Sequence, residues 1–555
     1  MRKNLVGMEA RRERMMRNGW WSDQTIDHVF RVAVVRHPDK VALTAYGTGL
    51  EGRQLTYVEL NRLVDRFAAA LVAMGIRHGD VIAMQLPNTW EFVVGALSAL
   101  RVGAVVNPLM TIFRKRELSY MLEHVQAKVL IVPRRFRGYD FVQLALSMKP
   151  GLPTLSHVIA TAGDTGAPDQ FDELLIQYSD VAVPRSTGTT ADDLALIIFT
   201  SGTTGHPKGV MHSANTLMAT VDSMAERLGL TQSDVLLCSS PIGHLTGFAA
   251  LMLQSIRLGA TLVMQDVWNA CVALEIIRRE RVTFIAGSAP LLTDLCDVVE
   301  AGQEQLPLRT FVCGGGPVAP SLLLRAKASL GAQISSAWGM SESAGSALTE
   351  PGNAEKCITT DGRAVRGAEL RIVDETGNPC EVGIVGHLQV RGALLCIGYF
   401  RRAHFSVCNE QGWFDTGDQA RMDEEGYIRI TGRTKDVLIR GGENVPVFEI
   451  ESLILEHPAV NAVAIVGYPD ERLGERACAF VVPKPDMWLD LPDLQQHLER
   501  SGVAKQYWPE RLRIVKGLPL TPAGKVQKFM LRELAVRGST GDETEMPNGR
   551  LLPPI

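Results

Sequence analysis

The sequence predicts an α/β protein of at least two domains. Short apolar runs of strand length alternate with longer segments of helical period along most of the chain. The composition then changes after Gly432, where a short charged run, Asp436 to Arg440, leads into Gly441-Gly442 and a new helix-strand pattern. Length agrees, because 555 residues at 46% hydrophobic composition exceed what a single core holds.

In chain order, Glu59–Met74 carries a helical period, and Val81–Met84 and Val129–Val132 read as buried strands. Leu194–Phe199 is a further continuous apolar run, and Thr261–Met264, Phe284–Ile285 and Thr310–Cys313 continue the strand series. Past the composition change, Val447–His457 reads as a helix and Ala462–Val466 as a strand, which puts the domain boundary at Arg433–Asp436. No internal repeat is visible. The segment Met1–Asp23 is rich in arginine but lacks the apolar stretch of a secretory signal, and reads as an ordinary amphipathic start. No apolar run reaches the roughly 18 residues of a membrane span. The last residues, 538–555, are polar and rich in Pro and Gly, the composition of a flexible tail.

A net charge of −4 offers no basic field for nucleic acid, so the expected partners are small molecules. The nine cysteines show no CxxC spacing. That argues against zinc and for reduced thiols in a cytoplasmic setting.

The chemistry concentrates in a few segments. Phe199 to Val210 ends an apolar run with a loop in which Thr200, Ser201, Thr203 and Thr204 supply hydroxyls, Gly202 and Gly205 expose backbone N–H groups, and Lys208 adds a cation. That is the composition of a phosphate cradle, without the GxxxxGK[ST] of a Walker loop. The stretch TFVCGGGP, Thr310 to Pro317, runs a strand into Gly315, Gly316 and Pro317. It satisfies G-x-G-x-x-A through Ala319, but a proline at the would-be helix start weakens a dinucleotide reading. The stretch Trp338-Gly339-Met340-Ser341-Glu342 offers an aromatic for a flat ring, a hydroxyl for a phosphate and a carboxylate for Mg²⁺. It also approaches the hydrolase elbow GxSxG, but Ser343 replaces the last glycine. Asp418 in TGD, and Arg433 in GRTKD, could serve a ribose. The loop Leu518 to Lys528 presents Lys525 on a glycine turn, where a cation could meet two anions brought together in a reaction.

These segments, in this order, resemble the signature motifs of the adenylate-forming, or AMP-binding, superfamily. The resemblance covers roughly Thr25 to Leu534 and points to the acyl-CoA synthetase branch, in particular to medium-chain fatty acid and cyclohexanecarboxylate CoA ligases. It implies a large N-terminal domain (1–434) of stacked α/β subdomains, a small mobile α+β C-terminal domain (435–537) hinged at Lys435, and ATP, Mg²⁺ and CoA as cosubstrates and ion. By resemblance, the loop from Thr200 to Lys208 holds the phosphates, and Gly315, Gly316, Pro317, Trp338 and Gly339 line the adenine. Ser341 reaches the α-phosphate, Glu342 holds Mg²⁺, and Asp418 with Arg433 binds the ribose. Lys525 acts in adenylation, and Gly441 and Gly442 line a pantetheine channel after the domain turns about Lys435. His244 stands at the mouth of an acyl pocket formed by Gly243, Phe248, Gly287 and Met340, and a homodimer is left open. Trp338 stands where the family prefers Tyr, Ser341 where it prefers Thr, and Ala214 and Gln506-Tyr507 replace the His and Tyr-Lys of many relatives.

The expected reaction is therefore the ATP-dependent ligation of a carboxylic acid to CoA through an acyl-adenylate, with a medium-chain or alicyclic acid as substrate. Transfer to a carrier protein or other acceptor, and a noncatalytic nucleotide-binding regulator, are the alternatives. The regulator would ordinarily lack Lys525 or Glu342, and both are present.

Overall fold

The computed structural model describes residues 8–47, 50–161, 169–179, 181, 188–200, 207–299, 305–316, 318–401, 407–433, 438–440, 443–470, 473–520 and 526–536. Two large sheets dominate. The first has eight strands, with Val81–Met84 at its centre pairing in parallel with Val105–Pro108 on one side and Val129–Pro133 on the other. All three strands are buried along their whole length, as expected where helices cover both faces of a parallel sheet. Leu194–Thr200 joins this sheet in parallel and turns back as Lys208–Ser213, which in turn carries the short strand Gly398–Tyr399 on its edge.

The second sheet has nine strands, and Val235–Cys238, Thr261–Gln265, Phe284–Gly287, Thr310–Gly314 and Gln333–Met340 run parallel within it. Ala344–Leu348 then returns antiparallel on Gln333–Met340. A four-stranded antiparallel sheet built from Ala368–Val373, Gly386–Gly392, Phe414–Met422 and Ile428–Arg433 packs its own cluster around Trp338, Leu388, Val390 and Phe414.

Beyond it lies a smaller C-terminal domain. Its five-stranded sheet is sandwiched between the helices Val447–Leu455 and Leu491–Arg500 on one face and Lys528–Val536 on the other, each face with its own apolar cluster. Ile428–Arg433 closes the preceding sheet and Leu438 opens this one; Lys435 lies outside the described residues, as does the tail.

Several elements differ in extent from the sequence reading, among them the helix expected at Val447–His457, which ends at Leu455, and two differences have a clear physical cause. The helix expected from Glu59 begins at Tyr57, because Thr56 caps it reciprocally with Glu59. The strand expected at Ala462–Val466 spans Val460–Asp470, because hairpin pairing with Gly474–Pro483 extends it past its apolar centre. Among the described residues, no helix is long and apolar enough to cross a membrane.

The amino-terminal helix Met8–Arg17 is tied far across the chain. Its Arg11 guanidinium donates to the carbonyls of Gly392, Leu395 and Cys396, and the Trp21 indole donates to Ala393 O at 3.0 Å. Burial lowers the Arg11 pKa.

Candidate active site

The ends of the two large sheets and the four-stranded sheet supply the candidate residues. Trp338 and Asp418 meet directly: the indole N–H donates to Asp418 Oδ2 at 2.9 Å. Arg433, the register partner of Asp418 on the next strand, places Nε 2.8 Å from Oδ1. Below them, the Asp418 N–H donates to the Thr416 hydroxyl, which donates to Leu388 O. Asp418 is only 4% exposed, so its charge depends on these partners.

Glu342 forms a second centre. It is 6% exposed, and its Oε1 accepts from the Tyr399 hydroxyl at 2.8 Å. Lys208 places Nζ 5.2 Å from the centre of the Tyr399 ring, so one tyrosine touches the residues expected at the phosphates and at the ion. The Cys396 N–H donates to Glu342 O at 2.7 Å, which links this centre to the segment gripped by Arg11. Alongside, His212 Nε2 donates to Ser341 O at 2.8 Å, and its Nδ1 faces the Thr216 hydroxyl. Burial pulls the His212 pKa down to about 4.

The path of this loop is sterically fixed. A Cβ on Gly339 would sit 1.7 Å from Ala344 O, so no side chain fits there. Gly315 adopts φ +87°, a left-handed conformation, and a Cβ on it or on Gly316 would meet nothing within 4 Å among the described residues. The strand end therefore presents bare backbone free of contact with the described side chains.

Among the residues expected at an acyl pocket, His244 Nδ1 accepts from the Thr246 N–H at 3.3 Å at the start of an eight-residue π-helix, Thr246–Leu253. Phe248 has no exposed surface and packs edge-on against Phe92 with ring centres 6.3 Å apart. Gly243 abuts Leu109 and Met110, Gly287 abuts Leu291 and Phe311, and Met340 packs beside the Trp338 cluster. Ser201, Gly202, Thr203, Thr204, Gly205, Pro317, Gly441, Gly442 and Lys525 lie outside the described residues.

Sequence reasoning missed Tyr399, His212 and Arg11. No local spacing could have marked them, since their contacts span 57, 129 and 385 residues.

Among the described residues, no group of three or more His, Cys, Asp or Glu could hold a metal by itself. A single buried carboxylate completed by nucleotide phosphates is instead a donor set suited to Mg²⁺. Glu342 fits that description.

Such a fold, with Glu342 and Lys208 both against Tyr399 and Asp418 bonded by the Trp338 indole, is that of an adenylate-forming ligase. The chain belongs to the AMP-binding enzyme family: residues 30–400 match it, and residues 449–525 match the AMP-binding enzyme C-terminal domain. It is 34% identical over 550 residues to the medium-chain fatty-acid–CoA ligase of Escherichia coli K12, covering 98% of this chain and 96% of the relative. It is 32% identical to a salicyl-AMP ligase / salicyl-S-ArCP synthetase of Mycobacterium tuberculosis, covering 95% of this chain and 93% of that one. Among solved structures it superposes on ATP-bound MatB from Rhodopseudomonas palustris with a TM-score of 0.81 at 26% identity, covering 93% and 99% of the two chains. It is thus an AMP-forming ligase that uses ATP.

Proposed function

We propose that this chain activates a medium-chain or alicyclic carboxylic acid as its adenylate and transfers the acyl group to CoA. The observation that carries the reading is the joining of Asp418 to Trp338 and of Glu342 to Tyr399, which supports a ribose role for the first carboxylate and an ion-binding role for the second. Likeness to the medium-chain ligase along almost the whole chain supports the acyl class.

In this mechanism the hydroxyls and amides between Thr200 and Gly205, with Lys208, bind the phosphates, and the Ser341 hydroxyl reaches the α-phosphate. Asp418 and Arg433 fix the ribose. Gly315, Gly316, Pro317, Trp338 and Gly339 frame the adenine. Glu342 would hold Mg²⁺, which when bound neutralises charge on the phosphates. Lys525 offsets the approach of the carboxylate to the α-phosphate, and AMP remains on the acyl group as pyrophosphate leaves. The small domain, residues 435–537, then turns about Lys435, and Gly441-Gly442 line the path of the CoA arm, whose thiolate bonds to the acyl carbon as the acyl–oxygen bond to AMP breaks and AMP leaves. The acid lies among Gly243, His244, Phe248, Gly287 and Met340.

A second acceptor is favoured by one observation: the salicyl relative is named for an ArCP thioester rather than a CoA thioester. Pyrophosphate release across a panel of carboxylic acids, with CoA and with a carrier protein bearing a pantetheine arm, separates the two. Acyl-CoA formed from octanoate, with CoA raising turnover, supports the proposal. Adenylate that accumulates with CoA and is discharged only onto the carrier protein overturns it.

A further inference from the structure

Asp418 carries a negative charge at a site 4% exposed, and its two oxygens are held by donors of different character. On Oδ1 the partner is Arg433, whose side chain is 46% exposed and free to follow solvent. On Oδ2 the partner is the Trp338 indole, 8% exposed and packed among Leu388, Val390 and Phe414. A long, exposed arginine leaves its acceptor able to rotate, whereas an indole locked in a packed cluster has one place to put its N–H. A carboxylate offers about four lone-pair directions, so two remain for the vicinal hydroxyls of a sugar after both partners are counted.

We infer that Trp338 is a positioning residue for nucleotide recognition: through its indole N–H it sets the rotation of the Asp418 carboxylate so that the remaining lone pairs face the ribose hydroxyls. This rests on the ribose role proposed for Asp418 and adds to it. The polar edge of the ring performs this function, apart from the adenine-framing role proposed for its face, and phenylalanine keeps an aromatic face while removing that edge. Preorganisation of this kind strengthens binding by removing the cost of orienting the acceptor after the ligand arrives. Loss of the indole N–H alone should therefore fall on the hydroxyl-dependent part of ATP recognition.

The test compares ATP with 2′-deoxy-ATP as substrates in octanoate-dependent pyrophosphate release, in the wild type, Trp338→Phe and Asp418→Ala. In the wild type ATP should be the better substrate. In Trp338→Phe the KM for ATP should rise at least about tenfold, the scale of one charge-assisted hydrogen bond, while KM for 2′-deoxy-ATP and kcat for either nucleotide change far less. Equal damage to both nucleotides, or no change in either, overturns the inference. If Asp418→Ala keeps the wild-type preference for ATP, or the wild type shows none, the ribose reading itself fails. If Asp418→Ala abolishes the preference and Trp338→Phe retains it, only the positioning role fails. Should the phenylalanine variant not fold, benzothienylalanine at position 338 keeps the ring's shape, removes only the N–H donor, and carries the same expected outcomes.

Discussion

The Tyr399 hydroxyl donates to Glu342 Oε1 at 2.8 Å, and the same ring lies 5.2 Å from the Lys208 ammonium. A tyrosine delivered by an edge strand thus joins the carboxylate proposed for Mg²⁺ to the first described residue after Pro207 of the phosphate segment. Replacing Tyr399 with Phe keeps the ring and removes the hydrogen bond. On the proposed role of Glu342, the Mg²⁺ concentration for half-maximal pyrophosphate release should rise several-fold, with a loss of about tenfold in kcat/KM at limiting Mg²⁺. An unchanged Mg²⁺ requirement would show that Tyr399 only fills space.

Lys525→Ala should slow acyl-adenylate formation by at least about 10²-fold, the scale of losing one group that stabilises transition-state charge. Thioester formation from supplied acyl-adenylate should change much less. Rapid-quench measurement of the two half-reactions separates them, and equal loss in both removes the assignment.

His212 links acidity to stability. Its folded pKa is about 4 against an ordinary 6.5, because burial disfavours the imidazolium and the nearby Arg11 charge adds to that effect. The unfolded chain therefore binds more protons than the native one between those values. Stability from this group is complete above about pH 6.5 and is lost as the pH falls toward 4, by about 1.4 kcal/mol for each unit crossed. Urea unfolding at several pH values should show this slope, and His212→Asn should flatten it; the same slope in the variant would assign it to other groups.

The segments Ile242–Met252, Gly287–Leu292 and Met340–Leu348 contain one carboxylate, Glu342, and one imidazole, His244. An acyl tail bearing a charge would find no partner among them, at a cost of several kcal/mol. Each buried methylene should add roughly 0.8 kcal/mol. Specificity constants should therefore rise from acetate toward octanoate and cyclohexanecarboxylate. An amino acid or dicarboxylate outperforming octanoate would overturn the pocket assignment and leave the adenylation chemistry intact.

The strands at Val81, Val129, Thr261 and Thr310 were legible because fully buried parallel strands read as unbroken apolar runs. The antiparallel sheet around Phe414–Met422 was not, because its burial alternates along the strand and leaves no such run. Trp338, Glu342 and Asp418 stood out within local motifs. Arg433 was legible with Asp418 through the TGD and GRTKD motifs, and strand register pairs them; Tyr399 was not, because it reaches Glu342 from an edge strand that only the fold brings there. The neutral state of His212 was equally hidden, since its cause is complete burial beneath Ser341.

Arg11 meets its farthest carbonyl partner 385 residues downstream, at Cys396. At ribosomal speeds of about 5–20 residues per second, that partner follows roughly 20 to 80 s after the helix has been made. Until then the guanidinium stays hydrated, and the segment from Gly392 to Cys396, which abuts Glu342, does not yet exist to receive it. The helix Met8–Arg17 can pair through Arg12 with Asp192 long before Arg11 finds these carbonyls, and a nascent chain that has completed the strands from Val81 to Thr200 still lacks the Arg11 brace on the segment beside Glu342.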